Sequence, residues 1–300
     1  MQRNPAQSPD TSPLATHHSP TPHRSLFTIH HLTIVTIALA GVLTAACATT
    51  PRPALSAAVA DRPVMLAVVT WNLHAGRANL AQFVDDLTGG RVTGEPVRRY
   101  VLLLQENIAG SRFDAVALAR RRQLWSHFAP VRESGRGTSG NAILTTEAPL
   151  AVRTIELPRE RRVRKATIAT IALNDRPFFI VNTHLENRIS WLKGGLFSEG
   201  ARARQAEALL RALPAGPGVA GGDFNTWLGE DEPAMRALLA RFTDTPPGLS
   251  EPTFRDRLAI DHLFFDLPRG WEAVRRVVRE KYGSDHHPVI GLVVPAGAMS

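Results

Sequence analysis

Cysteine occurs once in the 300 residues, at Cys47, so the chain can build no internal disulfide framework and no cysteine zinc site. Tyrosine is nearly as scarce, with Tyr100 and Tyr282 alone. No apolar run reaches the length of a membrane-spanning helix; the one at 32–46, LTIVTIALAGVLTAA, has 15 residues. Beyond about residue 50 the sequence contains no low-complexity linker and no internal repeat, so one large domain over 64–296 is expected rather than two small ones. A hydrophobic fraction of 44% permits a sizeable core. An acidic balance is also missing. The net charge of +8 favours polyanionic partners such as nucleic acid, phosphorylated lipid or an anionic membrane surface, with a plain solvated basic face as the alternative.

What is present begins with an address. Residues 1–31 are rich in Pro, Ser, Thr and His and read as a disordered extension. The apolar stretch at 32–46 has the length of a signal h-region, and it ends in Thr44-Ala45-Ala46 just ahead of Cys47. Small residues before a lone cysteine resemble a bacterial lipoprotein signal, which implies cleavage before Cys47 and lipidation of its thiol. An ordinary cleaved signal and an uncleaved anchor are the alternatives. All three imply export, to the cell envelope first and secretion second. Residues 48–63, rich in Ala and Pro, read as a tether.

Strands are expected at 64–72, 99–105, 141–145, 219–223, 260–265 and 288–294. The segments 165–173 and 178–183 read as a hairpin turned by Asn174-Asp175-Arg176-Pro177. Helices are expected at 80–87, 113–124, 201–213 and 234–241, and a loop at 135–140. Strands outnumber helices, and hairpins mix with crossovers. This is an α+β pattern and not the strict alternation of a doubly wound parallel fold.

Polar clusters sit at the ends of the apolar runs: Thr70-Trp71-Asn72-Leu73-His74, Gln105-Glu106-Asn107, Asn182-Thr183-His184-Leu185-Glu186, Gly221-Gly222-Asp223-Phe224-Asn225, Ile260-Asp261-His262 and Ser284-Asp285-His286-His287-Pro288. Carboxylates, amides and imidazoles at several strand ends can converge on one point, as a hydrolytic metal site requires. Glu106 at a buried strand's edge needs a cation or donors, and Mg²⁺ would suit it. Asp223 and Asn225 face one way if the strand continues, and could handle water, phosphate or metal; an Asx turn is the plainer reading. His286 would take its orienting carboxylate from Asp261, since adjacent Asp285 is poorly placed for it, leaving Asp285 free for metal. His184 could donate to a non-bridging phosphate oxygen. His262 and His287 read as structural or supporting residues. Asn72 and His74 carry the weakest signals.

The order and shared placement of these motifs resemble the endonuclease/exonuclease/phosphatase superfamily, the deoxyribonuclease I-like phosphoesterases. The resemblance spans residues 64–294. It implies a four-layer αββα sandwich, with two mixed β-sheets packed face to face and helices outside. It implies a Mg²⁺ site (Mn²⁺ as a substitute) at Asn72, Glu106 and Asp285. It also implies His184, Asp223, Asn225, Asp261 and His286 as the catalytic set. Whether Asp223 or His286 deprotonates the water stays open.

Members of the abasic-site repair branch carry an acid where His74 stands, and an active-site tyrosine in place of the His184 motif. Asn182-Thr183-His184-Leu185 instead resembles the branch of secreted deoxyribonucleases, sphingomyelinases and inositol-phosphate phosphatases. Two features bear on substrate. The basic run Arg159, Arg161, Arg162, Arg164, Lys165 could track a phosphate backbone, with Arg162 and Arg164 on one face of a strand. The apolar insertion at 188–200 could touch lipid or stack on a base. The expectation is an exported phosphodiesterase acting on nucleic acid. A sphingomyelin or phospholipid phosphodiesterase, an inositol-phosphate phosphatase and an inactive lipid-anchored binding protein are the alternatives. No obligate protein partner is expected.

Overall fold

Short runs such as Leu66–Val69 and Val101–Leu104 are apolar at every position because both faces of their strands are covered. The computed structural model describes residues 64–187 and 198–295. The expected extension, signal segment, Cys47 and tether lie outside the described residues, as does most of the apolar insertion. Along the chain run β1 (Leu66–Asn72), α1 (Leu80–Thr88), β2 (Tyr100–Ile108), α2 (Ala115–Arg121), β3 (Trp125–Ser134), β4 (Gly137–Thr145), β5 (Ala151–Glu156), β6 (Lys165–Leu173), β7 (Arg176–His184), α3 (Glu199–Ala212), β8 (Gly218–Asp223), α4 (Pro233–Arg241), β9 (Asp261–Asp266), β10 (Trp271–Val277) and β11 (Val289–Pro295).

Two mixed sheets result. The first has the order β10-β11-β1-β2-β4-β3, and the second β5-β6-β7-β8-β9. β1 pairs parallel with β2 and β7 with β8, while their other neighbours are antiparallel. Alternation along each strand sorts the side chains into layers. Leu66, Val68, Val101 and Leu103 meet Ile180, Val219, Leu263 and Phe265 between the sheets. Val69, Trp71 and Leu102 pack outward with Phe83 and Leu87 of α1 and Leu118 of α2. Phe179, Val181 and Phe264 pack outward with Leu209 of α3 and Met235 and Leu238 of α4. The expected αββα sandwich is therefore observed.

Three strands depart from the sequence reading. β3, β5 and β10 were not expected, and 135–140 contains the turn and start of β4 instead of a loop throughout. The hairpin of β6 and β7 is tighter than expected. Asn174 and Asp175, with φ of 51° and 59°, make a two-residue turn, and Arg176 and Pro177 already pair with Leu173 and Ala172. The basic run at 159–164 is not a strand, so its expected alternation of faces does not apply.

Candidate active site

The slot between the sheets is apolar along most of its length and polar at one end. Moving along the inward-facing positions of β1, Leu66 and Val68 give way to Thr70 and Asn72. On β2, Val101 and Leu103 give way to Gln105. On β7, Ile180 is followed by Asn182 and His184. The first polar pair fastens the sheets together. Gln105 Nε2 donates to Asn182 Oδ1 at 2.8 Å, and Asn182 Nδ2 donates to the carbonyls of Leu104 and Ala142 at 3.0 and 2.8 Å.

Strand register then builds the site. His184 is the cross-strand partner of Asp223, and Asp223 of Asp261, so the three side chains form one row across β7, β8 and β9. His184 Nε2 lies 3.4 Å from Asp223 Oδ2. From the opposite sheet Asn72 Nδ2 donates to that same Oδ2 at 2.9 Å. Gly221 permits the close approach: a Cβ there would stand 2.5 Å from Leu103 Cδ1 and 2.7 Å from Leu263 Cδ2.

Asn225 does not extend β8. It has φ of 53°, its N–H donates to Asp223 Oδ1 at 3.1 Å, and its Nδ2 donates to the Leu185 carbonyl at 3.2 Å. The Asx turn and a functional Asp223 thus coexist, and the shared face expected for Asp223 and Asn225 is replaced by that turn.

His286 enters from the loop before β11. Its Nδ1 lies 2.8 Å from Asp261 Oδ2, whereas Asp285 Oδ1 is 3.9 Å from its Nε2. Its backbone is held at both ends: the N–H donates to Ser284 Oγ at 3.0 Å, and the carbonyl accepts from Trp71 Nε1 at 3.1 Å. Phe254 covers one ring face with centroids 4.6 Å apart.

Glu106 sits at an irregularity in the pairing of β2 with β4 and has φ of 56°. Its Oε2 accepts from the Ala75 N–H at 2.9 Å. Asp285 is half-buried, with Oδ1 3.4 Å from His74 Nδ1. Asn72 Oδ1 accepts from the His74 N–H at 3.0 Å. Of the supporting histidines, His287 is tied by Asp256 at 2.6 Å and the Val278 carbonyl at 2.9 Å, and His262 by Thr226 at 3.0 Å.

The charges are strongly coupled. Burial, and then the Asp261 carboxylate, push Asp223 up to about 7, against the opposing pull of His286 and Asn72. Burial and the nearby Arg164 charge hold His184 well below its ordinary value, so its contact with Asp223 is not an ion pair. Burial also opposes charge on His286, but Asp261, Asp223 and Asp285 outweigh it and raise the imidazole to about 9. Among the described residues, Asp223, Asp261 and His286 bring ligand-type atoms within 4.8 Å of one another. Asp261 Oδ2 and His286 Nδ1 already bond each other there, so that trio suits proton handling, and Glu106 and Asp285 are the better oxygen donors for a hard cation.

A cleft of about 1050 Å³ opens beside Glu106 and His184, between the β3–β4 hairpin and the 159–165 segment. Its walls carry Arg132, Arg136, Arg159, Arg161, Arg162 and Lys165. Sequence reasoning picked out most of that run but not Arg132 or Arg136, which lie on a hairpin it missed.

A model of the Endonuclease/Exonuclease/phosphatase family matches residues 69–286. Among solved structures the chain is similar to an endonuclease/exonuclease/phosphatase family protein from Leptotrichia buccalis, with TM-score 0.54 and 14% identity over 78% of this chain and 100% of that one. It is similar to the human nocturnin catalytic domain, with TM-score 0.51 and 20% identity over 77% and 95%. It is also similar to sphingomyelinase C from Streptomyces griseocarneus, with TM-score 0.50 and 16% identity over 77% and 99%. At these identities the likeness shows the fold. No curated protein matches the chain.

Proposed function

The chain belongs to the endonuclease/exonuclease/phosphatase family, and from that premise we propose that it is an exported, Mg²⁺-dependent phosphodiesterase that cuts nucleic acid. The observation that carries the hydrolytic reading is the buried row His184–Asp223–Asp261 with His286 bonded to Asp261 at 2.8 Å. The exposed arginines along the cleft support a polyanionic substrate.

Asp261 Oδ2 accepts a hydrogen bond from His286 Nδ1–H and leaves Nε2 directed away from that bond. The attacking water gives its proton to Asp223 or to His286, whose charges act on one another. His184, kept neutral by burial, donates to a non-bridging phosphate oxygen as charge builds there. Asn72 holds Asp223 in place from the opposite sheet. Glu106 and Asp285, with Asn72 beside them, offer the hard oxygen donors that suit Mg²⁺, or Mn²⁺ in its place. A cation bound there would polarise the phosphoryl group and acidify the attacking water. Export and anchoring through a lipidated Cys47 follow from the segment at 32–47.

A second reading, a sphingomyelin or phospholipid phosphodiesterase, draws on the apolar residues Ile189, Trp191, Leu192 and Phe197 and on the anchor. One experiment separates the two. The full chain is given plasmid DNA, RNA, sphingomyelin vesicles and inositol phosphates, each with Mg²⁺ and with EDTA, alongside His286→Ala. Nucleic-acid cleavage that EDTA and the variant both abolish is the expected result. Choline-phosphate release without nucleic-acid cleavage would replace the nuclease reading with the lipid one. Inactivity on every substrate would favour a binding protein that kept the fold.

A further inference from the structure

Between β1 and α1 the chain turns with a left-handed backbone. His74, Ala75 and Gly76 follow one another with φ of 50°, 51° and 68°. Residues other than glycine enter this region singly and seldom in succession, and alanine less readily than asparagine, aspartate or histidine. The β6–β7 hairpin, by contrast, turns on Asn174 and Asp175, two residues of the tolerant kind. Ala75 has no side-chain group to offset the strain, so the turn persists because its surroundings enforce it. The Leu73 carbonyl accepts the N–H groups of Arg77 and Ala78 at 2.9 and 3.2 Å, and the Asn79 N–H donates to the Tyr282 carbonyl at 2.7 Å. Gly76 lies close against the end of β2: a Cβ there would stand 3.1 Å from Ile108 Cβ and from Ser111 Oγ.

This backbone aims its donors at the side chains that suit a cation. The His74 N–H donates to Asn72 Oδ1 at 3.0 Å, and the Ala75 N–H donates to Glu106 Oε2 at 2.9 Å. The His74 ring faces the third side chain. Arg77 Nη1 lies 3.1 Å from His74 Nε2, and a guanidinium only donates. Nε2 therefore accepts, and the ring proton sits on Nδ1, 3.4 Å from Asp285 Oδ1. Asn72, Glu106 and Asp285 come from β1, β2 and the loop before β11, and the turn touches all three. An amide or carboxylate oxygen that accepts one N–H keeps a second lone pair for a cation.

We infer that the left-handed turn His74–Gly76 is the positioning element of the cation site, fixing Asn72, Glu106 and Asp285 in advance through two backbone N–H groups and one imidazole. This deepens the metal-dependent phosphodiesterase reading and rests on it for the cation. Position 75 acts through its N–H and its conformation, and position 74 through its ring as well. Because the turn is already formed in the folded chain, the three ligands need little rearrangement when the ion binds.

The test measures cation binding apart from turnover. Mn²⁺ is titrated calorimetrically into the full chain without substrate, and urea unfolding of the metal-free protein is followed alongside. The set is wild type, Ala75→Val, Ala75→Gly, His74→Asn and Glu106→Gln. A β-branched residue resists positive φ, so Ala75→Val should turn its N–H away from Glu106 and lose roughly tenfold or more in Mn²⁺ affinity. Ala75→Gly keeps the N–H and adopts the turn freely, so its affinity should stay close to wild type. His74→Asn tolerates the backbone but withdraws the ring from Asp285; its affinity should fall several-fold with the urea midpoint little changed. A merely structural turn would move the midpoint and leave the affinity alone.

Wild-type affinity in a folded Ala75→Val would overturn the inference, as would Ala75→Gly falling as far as Ala75→Val. If Ala75→Val does not fold, His74→Asn decides, and wild-type affinity there would overturn it. Loss of Mn²⁺ in Glu106→Gln alone, with every turn variant binding normally, would leave the cation site standing and remove the turn from it. A wild type whose Mn²⁺ affinity depends on the turn but which hydrolyses no bis-p-nitrophenyl phosphate would sink the enzymatic reading and leave the inference standing. A wild type that hydrolyses that substrate in EDTA and binds no Mn²⁺ would end the cation reading and the inference with it.

Discussion

His262 and His286 are both buried imidazoles, and their surroundings drive them in opposite directions. Burial, and then the charge of Arg275, take His262 down to about 3; the carboxylates around His286 lift it to about 9. The linkage signs differ accordingly. His262 is depressed in the fold, so between pH 6.5 and about 3 the unfolded chain binds the extra proton and stability falls as pH falls. His286 is raised, so its contribution is complete below pH 6.5 and is lost as pH climbs through about 9. For His262 the slope is ~1.4 kcal/mol per pH unit, or on the order of 2–3 kcal/mol between pH 6.5 and 4.5. His262→Gln should be less stable than wild type at pH 7 and lose less on acidification, as urea unfolding at the two pH values would show. Parallel acid limbs would refute this. Asp261→Asn removes the hydrogen-bonded charge from His286. The imidazole should then titrate below about 9 by NMR, and kcat on the preferred substrate should fall roughly 10²–10⁴-fold. An unmoved imidazole would show that Asp261 does not set its basicity.

At the scale of elements, the strands that sequence reading missed share one property. β3 and β10 are the edges of the first sheet, and β5 is an edge of the second. β5 runs from exposed to half-buried, and β10 is half-buried along almost all its length. With no doubly covered faces these segments carry no dense apolar run, while the interior strands β1, β2, β7 and β8 do. Close strand packing also explains the glycine pair at the site. A Cβ on Gly222 would lie 2.2 Å from the Thr183 carbonyl oxygen, a backbone atom of the paired strand. Gly222→Ala should therefore cost about 1–3 kcal/mol or more through overpacking. It should also depress activity, because His184 and Asp223 flank the strained pairing. Denaturation and turnover would be measured together; a variant as stable as wild type would show that β7 and β8 can separate without penalty.

Across the whole molecule the excess of 35 Lys and Arg over 27 Asp and Glu is less informative than where the arginines lie. Those lining the cleft have no carboxylate partner among the described residues, apart from the long approach of Arg164 to Glu186. Binding of duplex DNA under EDTA should weaken steeply with salt, with log K falling at a slope of roughly −0.9 for each phosphate neutralised. Arg132→Gln with Arg136→Gln should lower the slope magnitude by about 2, at about 1 for each contact removed. A slope unchanged by these substitutions would place the nucleic acid elsewhere, and no binding at all would favour the lipid substrate.

The sequence by itself determined the interior strands, the helices and the polar clusters at the strand ends. Each of these is a local consequence of alternation, turn chemistry and burial on both faces. It also brought Asp261 forward as the partner for His286, since neighbours along a chain seldom pair well through their side chains. Tertiary structure alone decided the rest. Register put His184, Asp223 and Asp261 in one row, and the packing of two sheets brought Asn72 to Asp223 from the opposite side. The break after β8 turned Asn225 onto Leu185, away from the expected shared face. The 159–164 segment left the strand, which buried Arg164 and left Arg162 in solvent. Contacts between residues far apart in the chain depend on strand order and on the separation of the sheets, and neither quantity is encoded in local periodicity.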